Sequence, residues 1–253
     1  MIEIINVSKR YKKYTVPYNS LKSFLLNHKR YVEESKRIDE LCAVNHLNMN
    51  IYPGEIVCIV GRNGAGKSTL AKMIAGTTEP TEGVIKIQGR IIPFLELGVA
   101  FNSELSGRDN VIMNGVLLGL KKHYIETIMQ DIFDFAEVSD FIETPLKFYS
   151  SGMLMRLAFS IGMHADGDIY IFDEILAVGD ANFQRKCFDC FENLIKSEKT
   201  ILLITHDLGI VSRYATRVLL LNGETHRIIE NSQQIKEIVN KTIDELYEEQ
   251  ELV

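Results

Sequence analysis

The sequence predicts an α/β protein built on a mostly parallel sheet. Three observations carry that reading. Short Ile- and Val-rich runs alternate with longer segments of helical spacing. One such run passes through a glycine-rich turn straight into an apolar helix. The alternation breaks only twice, at a charged stretch near the N-terminus and at a helix-patterned stretch in the middle.

The expected strands are residues 2–7, 47–51, 56–60, 84–87, 169–172, 200–204 and 217–221. Asn222-Gly223 then reads as a hairpin turn into an antiparallel edge strand reaching Ile229. Helices are expected after Gly66 and over 110–120, 124–136, 152–164, 183–197 and 234–249. Residues 103–147 carry helical patterning without a strand, so an inserted helical subdomain is expected there. The expected organisation is one domain over 1–253. Its core is about 1–98 and 165–230, its helical subdomain about 99–164, its C-terminal helix about 232–253 and an N-terminal insertion about 12–42. In that insertion Leu21, Phe24, Leu25 and His28 stand at helical spacing among Lys22, Lys29 and Arg30. A helix packed on the body explains the stripe; a basic helix facing a membrane or a transporter is the alternative.

Composition sets outer bounds. With 253 residues, a 46% hydrophobic and a 25% charged fraction, the chain is that of an ordinary globular protein. Its formal charge of −6 argues against a free-standing nucleic-acid binder, which needs a basic face. The opening residues have no apolar core of a secretory signal, and the longest apolar runs are strand-sized, so a cytosolic, reducing setting is expected. Four scattered cysteines make no disulfide framework, and Cys187 and Cys190, one helical turn apart with no second pair, read as packing residues rather than zinc ligands.

The chemistry begins after residue 60. Gly61-Arg62-Asn63-Gly64-Ala65-Gly66-Lys67-Ser68-Thr69 follows a strand and opens a helix, the setting a phosphate-binding loop requires. Glycines let successive backbone N–H groups turn inward as an anion nest, and the helix adds its positive end. Lys67 reaches the β- and γ-phosphates, and Ser68 offers a hydroxyl to Mg²⁺. A second apolar strand delivers Asp173 and Glu174. Asp173 is placed to hold the metal's water shell, and Glu174 to orient or deprotonate an attacking water. The next strand ends in Thr205-His206-Asp207, which puts His206 at the same sheet edge, able to donate to the γ-phosphate.

These pieces, together with Tyr149-Ser150-Ser151-Gly152-Met153 before a helix, resemble the nucleotide-binding domain of ATP-binding cassette (ABC) proteins. The resemblance implies a P-loop NTPase (RecA-like) core, with ATP and Mg²⁺ as ligands. It makes Ser150, Ser151 and Gly152 the family's signature, Asp180 its D-loop aspartate and Tyr11 the aromatic that stacks on adenine, with Tyr14 a rival. It also implies a homodimer in which each copy's signature closes the other's ATP site.

The run 173–180, with Leu95-Glu96-Leu97-Gly98 and Glu104-Leu105-Ser106-Gly107-Arg108-Asp109-Asn110, looks like the subgroup that exports O-antigen, capsule and teichoic acid. That subgroup implies a separate transmembrane permease, a lipid-linked glycan or polyol phosphate as indirect cargo, and a peripheral place on the cytoplasmic face of the inner membrane. Many O-antigen members carry a further C-terminal carbohydrate-binding domain, expected here to be absent or removed. The family's glutamine between core and helical subdomain has no match, since no Gln lies between Gln88 and Gln130; Asn102 is the expected substitute and Glu96 the alternative. Two rival readings are a soluble ABC ATPase in translation or DNA repair and a nucleotide-dependent scaffold. The single cassette without sustained heptads weighs against the first, and intact Lys67, Asp173, Glu174 and His206 against the second.

Overall fold

The computed structural model describes residues 1–13, 39–95, 98, 100–173, 179–223, 225–230 and 232–238. Strands β3 (Ile56–Val60), β5 (Ile91–Phe94), β6 (Ile169–Asp173), β7 (Thr200–Ile204), β8 (Arg217–Asn222) and β9 (Thr225–Ile229) form one sheet in the order β5-β6-β7-β3-β8-β9. All its neighbours pair in parallel except β8 and β9, the expected antiparallel hairpin. The central strands are covered on both faces, which is why they read as unbroken apolar runs. In β3, Ile56, Cys58 and Val60 face one core, while Val57 and Ile59 face the other.

That second core is closed by an antiparallel sheet, β2-β1-β4, of β1 (Ile2–Lys13), β2 (Asp39–Ile51) and β4 (Glu82–Ile87). Ile2, Ile4, Val7, Leu47 and Met49 pack there against Leu70 and Ile74 of helix α1 (Lys67–Ile74). Both hairpin arms are longer than the sequence suggested. Tyr11 pairs with Leu41 and Lys12 with Glu40, so the ends of the expected insertion are strand. Their charged faces hid them, because a sheet edge in water needs no apolar alternation. The helix expected around Leu21 and Phe24 lies outside the described residues.

Between β5 and β6 run α2 (Gly107–Leu117), α3 (Lys122–Thr127), α4 (Met129–Ala136) and α5 (Ser151–Met163). The helix expected over 124–136 is two helices, broken at Ile128, whose φ of −101° and ψ of 7° leave the helical region. After β6 come α6 (Ala181–Lys196), α7 (Leu208–Tyr214) between β7 and β8, and α8 (Ser232–Ile238). The sequence reading missed α7, a short helix capped by Asp207. It also missed β5, whose Pro93 argues against a strand; at the sheet's edge proline is tolerated. Of the helix expected over 234–249, the described part is within α8.

Candidate active site

Parallel strands end on one edge of their sheet, and ligands of open α/β sheets bind outside those carboxyl ends. Here β7 lies between β3 and β6, so the loop after β3, His206 after β7 and Asp173 at the end of β6 converge. They line a cleft of about 570 Å³ with Asn63, Gly64, Gly66, Lys67, Ser68 and Thr69 as one wall and Tyr11, Leu41 and Ala43 as another.

The loop's shape is built into its glycines. Gly66 sits at φ 96°, and a Cβ there would lie 1.9 Å from the Ala43 carbonyl oxygen, so only glycine lets α1 start so close to β2. Ala65 is buried, its N–H donating to the Arg62 carbonyl at 3.1 Å and its carbonyl accepting from Gly223 N–H at 3.0 Å. No side chain caps α1, which leaves its first N–H groups and its positive end to the cleft. Lys67 is only 6% exposed. Its ammonium donates to the carbonyls of Gly61 at 2.7 Å and Arg62 at 2.9 Å. Ser68 Oγ donates to Asp173 Oδ2 at 3.0 Å. Half-buried His206 leads into Asp207, whose Oδ1 accepts from Gly209 and Ile210 N–H and so starts α7.

Tyr11 stands at the rim, 41% exposed, with the Lys9 ammonium 5.2 Å from its ring centre. The cleft therefore offers a cation, a helix end, a hydroxyl–carboxylate pair and an aromatic face, a set that suits a nucleoside triphosphate and a hard divalent ion. A larger hollow of about 820 Å³ lies at the opposite edge of the sheet, where Arg217 pairs with Glu55 and Glu230. None of the expected residues lines it, and its cation, Arg217, is held between two carboxylates.

Other expected residues stand elsewhere. Ser150 caps α5, its Oγ accepting from Met153 N–H at 3.2 Å, and Ser151 and Gly152 are exposed; none of the three lines the cleft. Asp180 caps α6 through bonds from the N–H groups of Asn182 and Phe183, each 3.0 Å. The Phe183 bond foremost, with the Asn182 bond, Arg156 and Lys186, holds its carboxyl below the ordinary range. Arg156 on α5 also pairs with Glu137 at 3.1 Å, so the signature helix, the end of α4 and the start of α6 share one charge cluster.

Asn102 is not brought to the cleft. Its Oδ1 accepts from Glu104 N–H and its own N–H donates to Asn110 Oδ1, which commits it to a local turn. The residue that reading overlooked is Asn110. It is fully buried, and its amide donates to the carbonyls of Asn102, Leu105 and Ser106, fastening the loop before α2. An Asn at a helical position reads as surface until the loop it holds is seen. Glu174, Glu96 and Tyr14 lie outside the described residues.

Comparison with known proteins agrees with this geometry. Residues 44–177, just over half the chain, match the family model described as ABC transporter. The chain is 41% identical over 220 residues to the O-antigen export system ATP-binding protein RfbB of Myxococcus xanthus, covering 86% of itself and 50% of that protein. It is 37% identical over 243 residues to the RfbB of Klebsiella pneumoniae, covering 96% and 98%. To the teichoic acids export ATP-binding protein TagH of Bacillus anthracis it is 36% identical over 239 residues, covering 94% and 42%. The chain thus spans half or less of two of these relatives and nearly all of the third. Among solved structures, a dimeric post-hydrolysis state of the ATP-binding cassette MJ0796, bound to ADP and Pi, shares the fold with a TM-score of 0.70 at 20% identity, covering 91% of this chain and 98% of that one. With its family model matched over half its length and one relative aligned almost end to end, the chain belongs to the ABC transporter family.

Proposed function

We propose that this chain is the ATP-hydrolysing subunit of an exporter, driving a lipid-linked polysaccharide or polyol phosphate across the cytoplasmic membrane through a separate permease. One observation carries the ATPase part: Lys67, Ser68, Asp173 and His206 line one cleft behind an uncapped helix end, with Tyr11 at its rim. The loop N–H groups and Lys67 bind the phosphates, and Tyr11 carries the base. Ser68 and Asp173 would hold Mg²⁺, since a hydroxyl and a carboxylate oxygen already meet there and hard cations take oxygen ligands. Bound there, the ion neutralises phosphate charge. His206 donates to the γ-phosphate. Glu174, next in sequence to Asp173, orients the attacking water and accepts its proton.

The chain acts as two copies. Exposed Ser150, Ser151 and Gly152 at the start of α5 line no part of their own chain's cleft, which leaves them to meet the phosphates held by a second copy. Binding and hydrolysis of ATP then bias closing and opening of the pair, and through it the permease. The permease meets the helical subdomain, about 99–164, near residues 101–110. The names of the O-antigen and teichoic acid relatives support the cargo class. No helix among the described residues is long and apolar enough to cross a membrane.

The test starts with purified protein. Mg²⁺-dependent ATP hydrolysis is expected, and Glu174→Gln should lower turnover by about 10²-fold or more while keeping ATP binding. With ATP that variant should double its mass by light scattering. Undiminished hydrolysis removes Glu174 from the mechanism, and a mass that never doubles refutes the paired site. For the cargo, cells lacking the chain should accumulate lipid-linked glycan on the inner leaflet; unchanged glycan export refutes the assignment.

A further inference from the structure

Phe148 leaves 67% of its surface in water, although Tyr149 after it is buried at 7% and Leu146, two positions before it, at 2%. This exposure is imposed, because the backbone on both sides is fixed. Leu146 N–H donates to the Leu105 carbonyl at 3.0 Å, Lys147 N–H to that of Ser103 at 2.9 Å and Phe148 N–H to that of Pro145 at 3.0 Å. The hydroxyl of Tyr149 donates to the Phe141 carbonyl at 2.7 Å. The Lys147 ammonium, held by Glu104 Oε2 at 2.8 Å, lies 5.7 Å from the Phe148 ring centre. Tyr11 has the same arrangement: the Lys9 ammonium, held by the Glu79 carbonyl at 2.7 Å, lies 5.2 Å from its ring. In each pair an anchored cation occupies one ring face, which turns the other toward a stacking partner.

We propose that Phe148 of one copy stacks on the adenine that Tyr11 of the other copy holds, so that the base lies between aromatic rings from two chains. This rests on the two-copy reading above. Tyr149 and Ser150 have extended backbones, with ψ of 143° and 160°. Two extended residues span about 7 Å. With Ser150 at the γ-phosphate, that span and the ring's own length carry Phe148 along the triphosphate toward the base. Phe148 is then a specificity residue that acts only when the two chains close, favouring nucleotides with a flat base.

The experiment uses the Glu174→Gln chain as parent and follows pairing against ATP concentration by light scattering. A fluorescent ATP analogue, at chain concentrations too low for pairing, reports the first binding step. Phe148→Ala should raise the ATP needed for pairing by about tenfold or more, as expected for loss of a base–aromatic stack. The first step should change less than twofold. Tyr11→Ala should weaken both steps, and Phe148→Trp should restore pairing. Ribose triphosphate, which has no base, should pair parent and Phe148→Ala chains alike. Pairing of Phe148→Ala at the parent's ATP concentration overturns the proposal, as does an equal loss in both steps. If the parent chain itself never pairs, the two-copy reading has failed and this inference falls with it; that result appears without any change at Phe148.

Discussion

Ser68 Oγ donates to Asp173 Oδ2 at 3.0 Å, joining the start of α1 to the end of β6 across 105 positions of sequence. The register of the sheet produces that contact. Asp173 pairs with Ile204 on β7, and β7 pairs with β3, whose last residues lead into the phosphate loop. Three parallel strands in register thus set a hydroxyl and a carboxylate side by side.

Asp173→Asn keeps a carbonyl oxygen for Ser68 but removes the charge. Turnover should fall by about 10²-fold or more at any Mg²⁺ concentration, since a neutral amide is a poor ligand for a hard cation. ATP binding without Mg²⁺ should persist, and so should the melting temperature. Hydrolysis measured across a Mg²⁺ titration, beside thermal unfolding, checks both.

Gly66 and Gly64 should respond differently to alanine. Both have positive φ, 96° and 82°, so each substitution costs about 1–2 kcal/mol of backbone strain. At Gly64 nothing lies within 4 Å of the added Cβ, whereas at Gly66 it meets the Ala43 carbonyl oxygen at 1.9 Å. Gly64→Ala should fold and bind ATP more weakly. Gly66→Ala should displace α1 from β2 and lose ATP binding altogether, as titration calorimetry would show.

Asn110→Ala removes four hydrogen bonds from a fully buried site. Leaving three carbonyls and one N–H without that partner should cost about 2–4 kcal/mol, read from denaturant unfolding. The Asn102–Ser106 loop should become the first segment to exchange its amide hydrogens. Unchanged stability would mean that the loop is held by other contacts.

Burial pushes the thiols of Cys58 and Cys187 up to about 12. The thiolate is the reactive form, so at pH 8 both should resist iodoacetamide until the protein unfolds, while partly exposed Cys42 reacts. Rapid labelling of Cys187 in the native state would contradict its burial.

Asp180 gives a pH dependence of known sign. Its carboxyl is held below the ordinary aspartate range by the Phe183 N–H foremost, with the Asn182 N–H, Arg156 and Lys186. A depressed folded-state pKa stabilises fully above the ordinary value and is lost as pH falls through the lower one. Acid unfolding should therefore shift to a higher pH in Asp180→Ala. In Asp180→Asn, whose amide oxygen can still cap α6, stability should vary less with pH below about 4.

What the sequence decided by itself was local or one-dimensional. The glycine-rich loop, the strand ending in Asp173 and the step to His206 were legible because each is a short run whose composition dictates its backbone and chemistry. Alternating strands and helices gave the parallel sheet for the same reason. The tertiary structure alone decided what depends on partners distant in sequence. Pro93 is in a strand because β6 accepts it at an edge, and the charged arms 8–13 and 39–46 are strands because they pair with each other. Asn102 is spent on a turn because Asn110, buried eight positions later, claims its backbone. A hydrogen bond needs both its ends in place, and only the fold brings the second end near.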